Sequence, residues 1–112
     1  IVGNFLANAL RYAPPGSTVT VLGTSDGKRV TLSVRDEGPG LTPEQQRRVF
    51  ERFYRVDPSR SRALGGSGIG LPIARAVADA MGARTWVESD GPGSGSTFHV
   101  SLPSGTRPSG PT

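Results

Sequence analysis

Apolar positions recur along this chain with two different periods, and the switches between them divide it into elements. Val2, Phe5, Leu6 and Ala9 fall on one face at about 100° per residue, which predicts a helix over 1–12. Asn4, Asn8 and Arg11 share the opposite face. Pro14, Pro15 and Gly16 stop the helix. It starts at the first residue with no capping side chain before it, which implies a domain truncated at its N-terminus. Strict alternation takes over at 18–24 and 29–36, two strands joined at Asp26-Gly27, a strong hairpin signal. In the second strand Val30, Leu32 and Val34 face one way, and parity places Asp36 on that same apolar side. Thr42, Pro43 and Gln45 then open a short helix with a capping box, and Val49, Phe50 and Phe53 form its apolar edge. Periodicity is lost over 54–68, a long loop carrying Arg, Ser and Gly. A helical pattern returns at 70–81, with Ile69, Ile73, Ala76, Val77 and Ala80 as its expected buried stripe and Gly82 as its stop. Strands at 85–89 and 96–102 follow, with Trp86 expected in the core and Ser96, Phe98, Val100 and Leu102 on one face. Residues 104–112 have the Ser, Gly and Pro content of a disordered tail. Elements in this order predict an α+β fold, a two-layer α/β sandwich with its helices on one face of the sheet.

Composition narrows the function classes. The chain has 112 residues, enough for one small domain, and 34% hydrophobic residues give it a thin core. Net charge is +4, and Lys28 is the only lysine. The arginines are spread out, without a block or an interleaved aromatic ladder, so nucleic acid is not the expected partner. A polyanionic small ligand suits this balance. The absence of cysteine excludes disulfides and thiolate metal sites and fits a reducing cytoplasm. No apolar run approaches the ~20 residues of a membrane span. The expectation is a cytoplasmic domain whose membrane attachment, if any, lies outside these residues.

Three constellations carry chemistry. On the first helix, Asn4 and Asn8 stand one turn apart with Arg11 on the same stripe and Tyr12 beside it. Carboxamide oxygens suit a hard cation such as Mg²⁺, and a guanidinium suits phosphate. Taken alone, the stripe is also what a solvated helix face looks like. The second is Asp36-Glu37-Gly38-Pro39-Gly40. A carboxylate on the apolar side of a strand end is costly unless a donor meets it. An adenine amino group is such a donor, and the glycines let a flat base approach the backbone. The third is Gly65-Gly66-Ser67-Gly68-Ile69-Gly70-Leu71-Pro72 leading into a helix, where free N–H groups and the helix dipole favour an anion. It is not a P-loop, and Leu71 breaks the dinucleotide-binding register.

In this order and spacing the three resemble the N, G1 and G2 boxes of histidine-kinase ATP-binding domains. Phe50-Glu51-Arg52-Phe53-Tyr54-Arg55 is similar to the F box that lies between G1 and G2, and Gly93 to Pro103 is similar to the closing strand. The resemblance covers about residues 3–103 and implies the Bergerat sandwich with a mixed sheet, an ATP-binding domain over 1–103 and an ATP lid at about 54–68. Carried over by position, it implies Asn8 as the Mg²⁺ ligand, Asn4 beside the phosphates, and Arg11 with Tyr12 next to the triphosphate. Asp36 would meet the adenine amino group, with Gly38 and Gly40 shaping the pocket and Ser96, in preference to Thr97, near the base. Arg55 and Arg60 would reach the γ-phosphate, and Gly66, Gly68, Gly70 and Leu71 would offer backbone to the phosphates. The cofactors implied are ATP and Mg²⁺.

The resemblance also separates kinase from hydrolase. Hydrolytic relatives usually carry a water-activating glutamate where this chain has Asn4, and an amide cannot act as a base. The family's phosphoacceptor is a histidine on a separate dimeric helical hairpin, and a response regulator lies downstream. The single histidine here, His99, falls on a strand face opposite Phe98 and Val100 and is expected to be an ordinary surface residue. The acceptor therefore belongs to another domain or another protein. A conformationally switching ATPase and a degenerate nucleotide-binding docking module are the alternatives.

Overall fold

The computed structural model describes residues 1–51 and 70–103. The expected lid over 54–68 and tail over 104–112 lie outside the described residues, as do Phe53 and Ile69. Within them the order is α1 (Val2–Tyr12), β1 (Thr20–Ser25), β2 (Arg29–Asp36), α2 (Pro43–Arg48), α3 (Gly70–Ala80), β3 (Arg84–Glu88) and β4 (Ser96–Pro103). No helix among the described residues is long and apolar enough to cross a membrane.

Local chemistry sets the boundaries. Ala13, before Pro14, is extended (φ −66°, ψ 132°), as the proline ring demands of its predecessor, and α1 ends there. The α2 capping box is complete: the Thr42 hydroxyl accepts from Gln45 N at 3.1 Å, and Gln45 Oε1 accepts from Thr42 N at 2.9 Å. Helix α3 stops at Gly82, whose φ of 73° is the left-handed conformation of a helix C-terminus. The N–H of Ala83 reaches back to the carbonyl of Ala78 at 2.8 Å, and that of Gly82 to Asp79 at 3.2 Å. In the β1–β2 hairpin, Asp26 Oδ1 accepts from the N–H groups of Lys28 and Arg29, both at 2.8 Å. Those bonds hold the Asp26 carboxyl below its ordinary pKa.

The sheet runs β1-β2-β4-β3. The mixed sheet implied by the resemblance is replaced, among the described strands, by one that is antiparallel at every pairing. The topology explains this. β2 and β3 never meet, because β4 inserts between them and runs against both. Helix α1 packs on β2 and on α3, and α3 packs on β3, so one sheet face is covered. Phe5, Val34, Phe98 and Val100 are the largest fully buried side chains. The Phe98 ring lies 5.5 Å from Phe5 and, edge-on, 6.0 Å from Phe50.

Two core expectations need correction. The buried stripe of α3 is Leu71, Ala74 and Ala78, whereas Ile73 is 47% and Val77 43% exposed and Ala76 and Ala80 face solvent. Phe5 and Ala9 of α1 share a cluster with Ala74 and Ala78, all four at 0% exposure. Helix α1 packs against α3, and alanines at the seam let two backbones approach where β-branched side chains would hold them apart. Trp86 is not in the core. It is 37% exposed and stacks on His99, centroids 4.8 Å apart, on the sheet face away from the helices. His99 is correspondingly more covered than expected, with its side chain 14% exposed. Its Nδ1 lies 2.6 Å from Ser33 Oγ, and its Nε2 lies 2.6 Å from Glu88 Oε1 without hydrogen-bond alignment.

Candidate nucleotide site

The site is built where β2 runs out. Alternation along β2 turns Asp36 to the helix-covered side, and the residue is only 3% exposed. The strand then breaks at Glu37, and the turn folds back so that Gly38 N donates to Asp36 Oδ1 at 2.8 Å. Across the ladder Asp36 pairs with Ser96, whose hydroxyl donates to Asp36 Oδ2 at 3.2 Å. Each carboxylate oxygen thus accepts one bond within the chain and keeps capacity for another. Spare acceptor capacity on a buried carboxylate is satisfied by a group that brings an N–H or O–H.

Glycine is required in this turn. A Cβ at Gly38 would lie 2.8 Å from Asp36 Oδ1 and 3.2 Å from the carbonyl oxygen of Tyr12. The same contact shows that the end of α1 abuts the turn that carries Asp36. Gly40 has a φ of 74°, and a Cβ there would run into the Gly91 carbonyl. A Cβ at Gly95 would likewise meet the Asp36 carbonyl. The turn after β2 and the turn before β4 therefore interlock, backbone against backbone.

Asn4, Asn8, Arg11 and Tyr12 are all half-buried on α1. Residues one turn apart on a helix stand about 5–6 Å apart at Cβ, so the two carboxamides and the guanidinium form one polar ridge. Arg11 lies in the last turn of α1, the end that meets the Gly38 turn. Gly70 opens α3 and is exposed, while Leu71 is 8% exposed and packs into the core. Of the expected backbone donors, Gly66 and Gly68 lie outside the described residues, as do Arg55 and Arg60. Thr97 pairs with Arg35 and Glu88 on the other sheet face, so of the two candidates Ser96 is the one beside Asp36.

Sequence reasoning passed over the residues that tie the two turns together. Ser89 Oγ accepts from Leu41 N at 3.0 Å and donates to the Gly95 carbonyl at 2.7 Å. Gln46 Nε2 donates to the carbonyls of Leu41, at 3.2 Å, and Ser89, at 3.0 Å. Gly93 N adds a bond to the Pro39 carbonyl at 2.6 Å. Lone Ser and Gln residues carry no local signal. Only the glycines at 91, 93 and 95 hinted at a tight turn there.

Comparison with known proteins agrees with this fold. Residues 1–106 match the family of histidine kinase-, DNA gyrase B- and HSP90-like ATPases. The sensor-like histidine kinase SenX3 of Mycobacterium tuberculosis is 45% identical over 104 residues, which are 91% of this chain and 25% of that protein. The chain thus spans about a quarter of the length of that relative. The mycobacterial sensor histidine kinase MprB superposes with a TM-score of 0.76 at 36% identity, covering 89% of this chain and 65% of the solved one. Full-length ShkA, solved in complex with AMPPNP, has a TM-score of 0.76 at 32% identity, over 90% of this chain and 20% of that one. The antiparallel sheet under two packed helices is the fold of the solved relatives, and the family match spans nearly the whole chain: the chain belongs to the histidine kinase-, DNA gyrase B- and HSP90-like ATPase family.

Proposed function

We propose that this chain binds Mg-ATP and donates the γ-phosphate to a histidine on a separate dimerisation and phosphoacceptor domain or partner protein, as the catalytic part of a cytoplasmic two-component signalling kinase with a response regulator downstream. The observation that carries the reading is Asp36, a carboxylate 3% exposed that keeps acceptor capacity on both oxygens, in a turn whose glycines allow close backbone packing. That ShkA, at 32% identity, was solved with AMPPNP supports it.

The residues present fit the two cofactors. Asp36 accepts the exocyclic amino group of adenine, and Ser96 holds the Asp36 carboxylate from the side. Asn8 offers a hard carboxamide oxygen of the kind Mg²⁺ takes, with phosphate oxygens and water completing the shell. Bound Mg-ATP supplies the transferable phosphoryl group with part of its charge already offset. Asn4 and Arg11 line the phosphate side, the amide as a donor and the guanidinium as counter-charge. Arg55 and Arg60 are proposed to reach the γ-phosphate, and Gly66, Gly68, Gly70 and Leu71 to offer backbone N–H groups to the phosphates, with Gly70 at the N-terminus of α3. Because Asn4 cannot take a proton from water, the chain holds ATP until a better nucleophile arrives.

His99 is a poor candidate for that nucleophile. It lies under Trp86 on the sheet face away from the helices, with Nδ1 on Ser33, whereas Asp36 faces the helices. Calorimetric titration with ATP, with and without Mg²⁺, tests the reading once circular dichroism has shown a folded chain. Mg²⁺-dependent binding without appreciable hydrolysis is expected. A folded chain that binds no ATP would point to a docking module, and rapid hydrolysis without a histidine partner would point to a switching ATPase.

A further inference from the structure

Asp36 separates purines only as far as it is aimed, because a 6-oxo purine turns an acceptor oxygen toward the carboxylate unless the base slides by one atom. A carboxylate accepts from any N–H that reaches it, and the amino group of adenine and the ring N–H of a 6-oxo purine lie only one atom apart on the base edge. Selection between them depends on how firmly the carboxylate is aimed and how firmly the base plane is fixed. The structure shows what does the aiming. Asp36 Oδ1 is held by Gly38 N at 2.8 Å and Oδ2 by Ser96 Oγ at 3.2 Å. Gly38 sits in the turn after β2, and Ser96 is the first residue of β4, after the turn over 89–95.

One hydroxyl stands behind both. Ser89 Oγ accepts from Leu41 N at 3.0 Å, which pins the far end of the Gly38 turn. It donates its single proton to the Gly95 carbonyl at 2.7 Å, which pins the residue next to Ser96. It also accepts from Gly91 N at 3.2 Å, closing its own turn. Gln46 braces the same junction from α2, bonding the carbonyls of Leu41 and Ser89. The glycine contacts at 40 and 95 make the fit backbone-tight, so a slackened junction shifts both of Asp36's partners together.

We propose that Ser89 is a positioning residue for base selection, its hydroxyl locking the turns after β2 and before β4 so that the Asp36 carboxylate favours a 6-amino over a 6-oxo purine. This rests on the nucleotide-binding reading above and deepens it. Ser89 touches neither base nor phosphate; it acts through Gly38 and Ser96.

The test measures the affinities of ATP and GTP for the wild-type chain, Ser89→Ala and Ser89→Thr, alongside each protein's thermal midpoint. Ser89→Ala is expected to lose about tenfold in ATP affinity, the size of one lost hydrogen bond at a charged acceptor, while GTP binding changes little. The ATP-to-GTP preference then collapses, and Ser89→Thr, which keeps the hydroxyl, restores most of it. A folded Ser89→Ala that melts lower but keeps the wild-type preference would overturn the proposal, because a purely structural serine moves stability and not the ratio. If Ser89→Ala does not fold, Gln46→Ala cuts the bracing bonds instead, and an unchanged preference there overturns it equally. A wild-type chain that is folded and binds no ATP would defeat the nucleotide reading itself, whereas wild-type binding with an unmoved ratio in the variants defeats only the role of Ser89.

Discussion

Asp36→Asn is the sharpest perturbation of the candidate site, because the structure dictates how the new amide must sit. If its nitrogen replaced Oδ1, it would face Gly38 N at 2.8 Å, donor against donor. The amide therefore keeps its oxygen toward Gly38 and turns its nitrogen to the Oδ2 position. There Ser96, 3.2 Å away, can reverse its hydroxyl and accept. The turn survives, so the variant is expected to fold with a thermal midpoint close to wild type. The ligand side fares differently: the nitrogen's second N–H points where an adenine amino group would donate, and the negative charge is gone. Loss of a hydrogen bond to a charged acceptor costs about 1.5–3 kcal/mol, or about 10- to 150-fold in affinity at ~1.4 kcal/mol per tenfold. Donor–donor opposition adds to that. Calorimetric titration of ATP into wild type and variant, with circular dichroism spectra of both, reads the effect. A folded Asp36→Asn that binds ATP as tightly as wild type would refute the assignment of this carboxylate to the base.

The other expectations concern metal, backbone, packing and protons. Asn8→Ala should remove most of the Mg²⁺ dependence of ATP binding while leaving the Mg²⁺-free affinity in place; an equal Mg²⁺ enhancement in the variant would move the ligand elsewhere. Gly40→Ala should prevent folding or lower the melting midpoint severely. Its φ of 74° disfavours a side chain by about 1–2 kcal/mol, and its Cβ meets the Gly91 carbonyl with no room to relax. Arg75→Met should cost about 1–3 kcal/mol in denaturant unfolding. It loses bonds of 3.0 and 2.9 Å to Thr85 and a guanidinium 4.0 Å from the centre of the Phe50 ring. Asp26 has a lowered folded-state pKa, so its contribution is fully present above the ordinary carboxylate value near about 3.9 and fades as pH falls through the lowered one. Comparing acid unfolding of wild type and Asp26→Asn should show a shallower acid-side slope in the variant, and identical slopes would count against the Asp26 turn.

What the sequence disclosed and what it withheld follow from the range of the forces involved. The capping box at Thr42, the hairpin at Asp26-Gly27 and the stop at Gly82 are local. Each is a contact within a few residues, and each is present in the structure. Strand parity is nearly as local, and it placed Asp36 and Ser96 on one face and Thr97 on the other. The buried face of α3 departs from its hydrophobic periodicity because hydrophobicity alone does not decide burial there. At a close helix seam small volume counts for more, and Ala74 and Ala78 are buried while Ile73 and Val77 look outward. Trp86 failed for a related reason: a large aromatic ring on an antiparallel strand can be sheltered by a cross-strand partner, here His99, without entering the core.

The hub at Ser89 was invisible for a deeper reason. Its partners Leu41 and Gly95 lie 48 positions before and 6 after it, and nothing in a serine's neighbourhood marks it as a junction. Its importance comes from topology: the glycine contacts bring the two turns backbone against backbone, and its hydroxyl bonds to both of them. In this chain, then, the residues proposed to touch ligand were legible because their chemistry is unusual for where they stand. Those that aim them are ordinary residues made consequential by topology. The same division implies that variants at Ser89 and Gln46 will alter which base is preferred, while variants at Asp36 will alter whether a base is bound at all.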